Sequence, residues 1–388
     1  MRLAFVLFAI AACSAPRSDV YITIDRDALA AAHLAGGRIV ETDGDIAVVD
    51  IDASALDLLS AEMHDSFHRC GGFVVHDSLA DADLAMHVQR PAERSDYTLD
   101  HGDAVRQILP QLDRERILAT IGELQAMPNR YYRSDTGAAA SRWLRDRWRS
   151  FTRRSDITID LVDHGYPQKS VVLTIPGTTH PDEIVVIGGH LDSIAQGGLG
   201  ARAPGADDDA SGIATETEVL RILLAADIHP QRTLQFMAYA AEEVGLRGSI
   251  SIARDYQKRR LNVVGVMQLD MTNYKGSDKD IWLMSDFTSP AQNTFLVALI
   301  DTYVHATWAF DKCGYACSDH AAWYRTGVPA SMPFEASFAG MNRTIHTRND
   351  TLETSGNNAD HAITFARLAA AYAIELAKAD FGVATAAR

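Results

Sequence analysis

A chain of 388 residues with a hydrophobic fraction of 47% has the length for one large domain beside a smaller one, and the apolar content for a sizeable core. Its formal charge of -15 leaves no basic surplus to neutralise phosphates, which argues against a nucleic-acid partner and makes solubility the meaning of the acidic surface.

Met1-Arg2 is followed by an apolar run over residues 3–12 and then Cys13. That run is too short for a bilayer, which takes roughly 20 residues. It fits a secretory signal peptide over 1–13. Ile10-Ala11-Ala12-Cys13 also resembles a bacterial lipobox, whose cysteine would carry a lipid anchor; ordinary cleavage near Ser14 or Ala15 is the alternative. No other stretch is suited to crossing a membrane. The expectation is an exported protein, secreted or periplasmic, with an outer-membrane lipoprotein as the lipobox variant.

Over 19–88 the pattern predicts a strand at 20–24, a helix at 27–34, strands at 37–42 and 46–51, a helix at 54–67 and a strand at 72–76. Asp43-Gly44 is a hairpin signal between two of these strands. A βαββαβ order of this size suggests a small α+β, ferredoxin-like unit, and it contains no catalytic cluster of His, Asp and Glu. Residues 89–103 are polar and read as a linker open to cleavage.

From 112 onward helical and strand-like runs alternate. Helices are expected at 113–125, 136–151, 211–226, 246–258, 290–304 and 358–378, and strands at 157–162, 170–175, 184–188, 233–240, 263–269, 281–284 and 330–333. Several strands are apolar without alternation, as strands covered on both faces should be. The expected fold is an α/β three-layer sandwich with a mixed, largely parallel central sheet flanked by helices.

Export permits disulfides. Cys313-Gly314-Tyr315-Ala316-Cys317 closes a tight loop and favours a local disulfide over half of a zinc-thiolate site, because no second Cys or Cys/His pair stands at suitable spacing. Cys70 has no obvious partner other than an unlipidated Cys13.

Acids and imidazoles collect at strand ends. The run Ile184-Val185-Val186-Ile187 breaks at Gly188-Gly189 and delivers His190 and Asp192; Glu242 and Glu243 follow the run at 236–241; Asp270 ends the run at 264–269. Asp208 lies on the connection from the first, inside Asp207-Asp208-Asp209. Ligands of open α/β sheets bind at the carboxyl ends of strands. One acid in such a place is more often a helix cap, and Asp209 and Ser211 can be read so. Five or more converging groups would raise one another's pKa values unless cations compensated.

Oxygen and imidazole donors without thiolate suit zinc, cobalt or manganese, and a shared carboxylate suits a two-metal site. Asp192, two residues past His190, would orient the imidazole from behind. Of the adjacent Glu242 and Glu243, one can bind metal while the other addresses a water.

Five ordered motifs carry a resemblance: Gly189-His190-Leu191-Asp192-Ser193, the stretch Ala203-Pro204-Gly205-Ala206-Asp207-Asp208-Asp209-Ala210-Ser211-Gly212, Ala241-Glu242-Glu243-Val244-Gly245, Leu269-Asp270-Met271-Thr272, and Ile345-His346-Thr347. The chain from 112 to 378 is similar to the di-zinc M28 aminopeptidases, close to the secreted bacterial leucyl enzymes. The resemblance implies a catalytic domain over 104–388 holding two Zn2+. His190 and Asp270 would bind one ion, Glu243 and His346 the other, with Asp208 bridging, and Glu242 would be the general acid/base for the activated water. Asp209 would support Asp208 across a cis peptide bond.

The resemblance also implies the Cys313–Cys317 disulfide, with Tyr315 facing the substrate. Met271, Met332, Phe334, Phe338 and Ile345, joined by Met284 and Met341 unless these are ordinary core, would line a pocket for a large hydrophobic N-terminal residue such as Leu. Substrates would be peptides with a free N-terminus, and the protein a monomer. The unit at 19–88 resembles propeptides that assist folding and mask the active site. Two other readings stand beside this one: a single-zinc glutaminyl-cyclase-like acyltransferase, and an inactive binding protein on the peptidase scaffold.

Overall fold

The computed structural model describes residues 19–69, 71–87, 91 and 97–381. The leader at 1–13 with its lipobox Cys13, Cys70 and residues 89, 90 and 92–96 of the expected linker lie outside the described residues.

The N-terminal unit runs β1 (Asp19–Asp25), α1 (Leu29–Leu34), β2 (Arg38–Asp43), β3 (Ile46–Asp52), α2 (Leu56–Phe67), β4 (Phe73–His76) and α3 (Leu79–Met86). Its antiparallel sheet has the order β2-β3-β1-β4. Alternation sorts its side chains: Ile22, Ile24, Ala47, Val49 and Ile51 meet the helix residues Leu56, Leu59 and Met63, while Val48 turns to the other face against Ala82 and Met86 of α3. The helix α3 was absent from the sequence expectation.

The larger unit continues with α4 (Gly102–Ile108), α5 (Arg114–Gln125), α6 (Asp135–Ser150), β5 (Thr158–Val162), β6 (Ser170–Ile175), β7 (His180–His190), α7 (Ala210–Ala225), β8 (Ile228–Pro230), β9 (Arg232–Tyr239), α8 (Arg247–Arg259) and β10 (Asn262–Gln268). It closes with β11 (Ile281–Met284), α9 (Pro290–Leu299), β12 (Trp308–Asp311), α10 (His320–Arg325), β13 (Ala330–Ser331), β14 (Pro333–Phe334), α11 (Ala362–Ala377) and β15 (Ala379–Phe381). The central sheet is ordered β13-β10-β7-β9-β6-β5. The pairings β13 to β10, β10 to β7 and β7 to β9 are parallel; β9 to β6 and β6 to β5 are antiparallel.

Both faces of this sheet are covered. Val185, Ile187, Leu234 and Phe236 point into a core shared with α5, α6, α7, α9 and α11. Ile184, Val186, Met237 and Tyr239 point the other way, toward Ile252 of α8 and Trp323 of α10. Two covered faces explain why the strands carry no polar alternation. The parallel strands β7, β9 and β10 all end at one edge, and the chain leaves each there with its acidic or imidazole residues. No helix among the described residues is long and apolar enough to cross a membrane.

Candidate metal centre

His190 is the last residue of β7, and Gly189 before it is required by crowding rather than by a turn. A Cβ on Gly189 would lie 2.9 Å from both Asp209 Oδ2 and Leu269 O, so only glycine lets the Asp209 carboxylate reach the strand. Asp209 then takes the His190 amide at 3.0 Å on Oδ2, and the amides of Gly212 and Met271 at 2.9 and 3.1 Å on Oδ1. It is the N-cap of α7 and at the same time the brace between β7 and the turn after β10. With three amides on it, Asp209 holds backbone rather than a ligand. The peptide bond joining it to Asp208 is cis.

Asp208 is thereby directed at both imidazoles. His190 Nε2 lies 2.9 Å from its Oδ1, and His346 Nε2 lies 3.1 Å from its Oδ2. Glu243 Oε2 is 2.6 Å from His346 Nε2, and Asp270 Oδ1 is 3.6 Å from His190 Nε2. The structure thus brings together His190, Asp208, Glu243, Asp270 and His346, each nearly fully buried. Donor atoms of His190, Asp208 and Glu243 lie within 4.8 Å of one another, as do those of His190, Asp209 and Asp270.

Burial resists ionisation of Asp208, yet His190 and His346 hold its carboxyl well below the usual range. Burial, and then the Asp208 charge, push Glu243 up to about 7. Burial opposes protonation of His190 as well, but the surrounding Asp270, Asp192 and Asp208 drive its pKa upward. Among the described residues, both Glu243 oxygens and Asp208 Oδ2 are buried without a hydrogen bond of proper geometry. Carboxylates left in that condition fit one or more cations bound among them. The donors are nitrogen and oxygen only, the set zinc accepts.

Asp192 sits behind this group. Its oxygens accept the amides of Glu242 at 2.9 Å and Glu243 at 3.2 Å, and Oδ1 lies 3.5 Å from His190 Nδ1. One carboxylate therefore ties the end of β7 to the turn after β9, and leaves His190 Nε2 facing inward. Glu242 is buried beside the cluster, and desolvation followed by repulsion from Asp319, Glu243 and Asp270 pushes its pKa well up. Ala241, Met271 and His346 have φ of 57°, 58° and 55°, a left-handed backbone next to or at three of the site residues.

The apolar residues expected around the substrate also meet. Met271, Met284, Tyr315, Met332, Phe334, Met341 and Ile345 form one buried cluster with Cys317, and Phe338 packs against it. Cys313 and Cys317 are joined by a disulfide. The Asp286 carboxylate takes the amides of Cys313 and Gly314, which fixes the loop that carries Tyr315.

Several contributors escaped the sequence reading. Asp350 accepts the Asp207 and Asp208 amides at 3.1 Å each, orienting the Asp208 backbone from the rear. Asp207 accepts Asn342 Nδ2 at 3.0 Å and the Asn273 amide at 3.3 Å. Burial pushes its carboxyl up to about 6 against hydrogen bonds with Glu335 and Asn342. Asp350 stands four residues past His346 in a turn, with no strand before it to mark it.

The N-terminal unit lies over this centre. Ser60 of α2 donates to Glu243 O at 2.7 Å, the His64 ring stands 4.7 Å from the His346 ring, and the Val75 amide donates to Gly245 O at 3.2 Å. The Arg69 guanidinium sits 5.3 Å above the Tyr315 ring.

Comparison with known proteins places this architecture. The model of peptidase family M28 matches residues 170–372. Leucine aminopeptidase 1 of Pyrenophora teres f. teres is 34% identical over 293 residues, covering 72% of this chain and 74% of that protein. The protein of the same name from Arthroderma otae is 34% identical over 314 residues, covering 77% and 83%. Among solved structures, the Legionella pneumophila LapA aminopeptidase superposes with a TM-score of 0.82 at 29% identity, covering 93% of this chain and 99% of that one. A glutaminyl cyclase from Fimbriiglobus ruber shares the fold alone, with a TM-score of 0.52 at 14% identity over 68% of this chain and 95% of that one. The family match and the relatives at a third identity across most of the sequence lead to one conclusion: the chain belongs to peptidase family M28.

Proposed function

We propose that this M28 peptidase is an exported, zinc-dependent aminopeptidase that removes large hydrophobic residues such as Leu from peptide N-termini, with two zinc ions. The observation that carries the reading is the shared Asp208, one oxygen toward His190 and the other toward His346, with Asp270 on the first side and Glu243 on the second. A carboxylate addressed from two sides suits two cations, and a single-zinc site has no use for it. His190, Asp270 and Asp208 would hold one zinc, and Glu243, His346 and Asp208 the other.

Zinc bound there supplies the Lewis acidity that polarises a scissile carbonyl and makes water a nucleophile at neutral pH. The remaining chemistry is the chain's own. Glu242 takes the proton of the attacking water and gives it to the leaving amine; its raised pKa suits a group that must do both. The free amine that closes the substrate's N-terminus fits beside the carboxylates, so residues leave one at a time from the end. The Met and Phe cluster receives the side chain, and since one methylene discriminates by only about 1 to 3 kcal/mol, specificity is broad. The N-terminal unit is a cover, and a cut near 89–96 relieves it.

The deciding experiment is turnover of a panel of aminoacyl amides by the protein cut in the 89–96 region, with and without a chelator, together with metal analysis. Hydrolysis of leucinamide that a chelator abolishes and zinc restores, at two zinc per chain, is expected. One zinc per chain with cyclisation of N-terminal glutamine would give the site to the acyltransferase reading.

A further inference from the structure

Arg130 takes no part in the mechanism above. It lies in the turn between α5 and α6, it is 0% exposed, and its guanidinium bonds main-chain carbonyls. Nε donates to Leu191 O at 2.9 Å, Nη1 to Pro204 O at 2.6 Å and to Leu124 O at 3.5 Å, and Nη2 to Gly205 O at 2.9 Å. Leu191 directly follows His190, and Gly205 stands three residues before Asp208. One planar fork thus holds both ends of the 191–205 connection, where the geometry of a guanidinium and not of an ammonium is needed.

The backbone of Arg130 extends the same bracing. Its amide donates to Ser193 Oγ at 3.0 Å, and its carbonyl accepts Gln168 Nε2 at 2.9 Å. Gln168 Oε1 in turn accepts the Ala241 amide at 3.4 Å, directly before Glu242. Gly205 has φ of 52°, and a Cβ there would lie 2.5 Å from Asp208 O, 2.6 Å from Ser193 Cβ and 2.8 Å from Arg130 Nη2, so glycine lets these three meet. Burial weakens the charge of Arg130, while Asp350, Asp209, Asp192 and Asp208 favour it.

We propose that Arg130 is a positioning residue of the metal centre: its fork sets the separation of the His190, Asp208 and Glu242 segments, and its fixed charge offsets their surplus of carboxylates. Zinc affinity then depends on a residue that touches neither zinc nor substrate. The inference rests on the zinc reading of the site. A residue that merely fills the core would, when replaced, lower the melting temperature and leave the metal affinity of the folded protein unchanged.

The test uses the full chain loaded with zinc, as parent, Arg130→Lys, Arg130→Met and Gln168→Met, each checked for folding by circular dichroism. Zinc retention is titrated against a chelator, and the visible absorption of the cobalt-loaded proteins is recorded. Loss of an orienting partner of this kind weakens metal binding about 10- to 100-fold. Arg130→Met should reach the upper end, and Arg130→Lys, which keeps charge without the fork, the lower end, with altered cobalt bands in both. Folded Arg130→Lys and Arg130→Met that retain zinc and cobalt bands like the parent overturn the proposal. Should they not fold, Gln168→Met decides: zinc retention about tenfold weaker supports it, and parental retention overturns it. A parent that binds no zinc would instead sink the zinc reading itself.

Discussion

Asp209 shows how much one side chain contributes here without touching substrate. Its three amide bonds cap α7, fix the end of β7 and fix the turn after β10, and so leave Asp208 free for the imidazoles. Reading it as a helix cap was correct and incomplete. Glu242, by contrast, has its amide held by Asp192, and its carboxyl is the group proposed to carry the proton. Glu242→Gln is expected to keep the fold and its bound zinc while turnover of leucinamide falls by about 10²- to 10⁴-fold. Undiminished turnover by that variant would remove Glu242 from the mechanism. The acids that follow apolar strands could be found by eye, since each stands where a buried run stops. Position relative to strands did not single out His346 among fourteen histidines, because it lies in a turn; only the motif around it did. Asp350 and Arg130 gave no signal, because their work is done on main-chain atoms that any sequence supplies.

At the level of elements, strand and helix periodicity carried most of the fold. The apolar run at 184–187 is the buried half of β7, whose exposed start at His180–Asp182 has no apolar pattern to announce it. The helix α3 was missed because it is short and Asp-rich, and its reason to exist is the second face of a sheet, presented by Val48. Strand 330–333 divides into β13 and β14, which join different sheets on either side of Met332. The helix α2 has the most direct functional consequence, since its Ser60 and His64 stand on the turn of Glu243 and on His346. Ser60→Glu sets a carboxylate against the Glu243 carbonyl and removes a hydrogen bond. The loss of about 1 to 3 kcal/mol should raise basal leucinamide turnover of the uncut chain about tenfold. Equal basal rates in parent and variant would show that α2 does not restrict access.

The whole molecule is two units joined by a segment whose composition misled. Residues 89–103 read as linker, but 97–101 are docked: Tyr97 stacks on Phe295 at 5.1 Å, and the Asp100 and His101 amides donate to the buried Glu375 at 2.8 and 2.9 Å. Polar composition could not reveal this, because much of the attachment is made by main-chain amides, which any sequence supplies. A second contact between the units is expected to respond to pH. His76 of β4 meets Thr23 Oγ1 of β1 at 2.9 Å through Nε2, and Arg254 of α8 through Nδ1. An arginine can only donate, so Nδ1 must be unprotonated. Burial, then Arg254 and Arg325 of α10, push the His76 pKa well below 6.5; Asp81 of α3, 3.7 Å from Arg254, gives the arginine its counter-charge. The sign follows from linkage: with the docked pKa below the released one, docking is complete above about pH 6.5 and weakens as pH falls below it. After a cut in the 89–96 region, the units should elute together at pH 7.5 and separate at pH 5. His76→Gln should reduce that difference. Co-elution at both values would dismiss the contact as a pH sensor.

The N-terminal unit holds the turn after β9 through the carbonyl oxygens of Glu243 and Gly245, met by Ser60 Oγ and the Val75 amide. Carbonyl oxygens do not change when side chains are substituted. A cover that reads backbone would be indifferent to drift in the enzyme beneath it, so on the proposed covering role the isolated N-terminal unit is expected to restrain diverged M28 enzymes that keep the same turn.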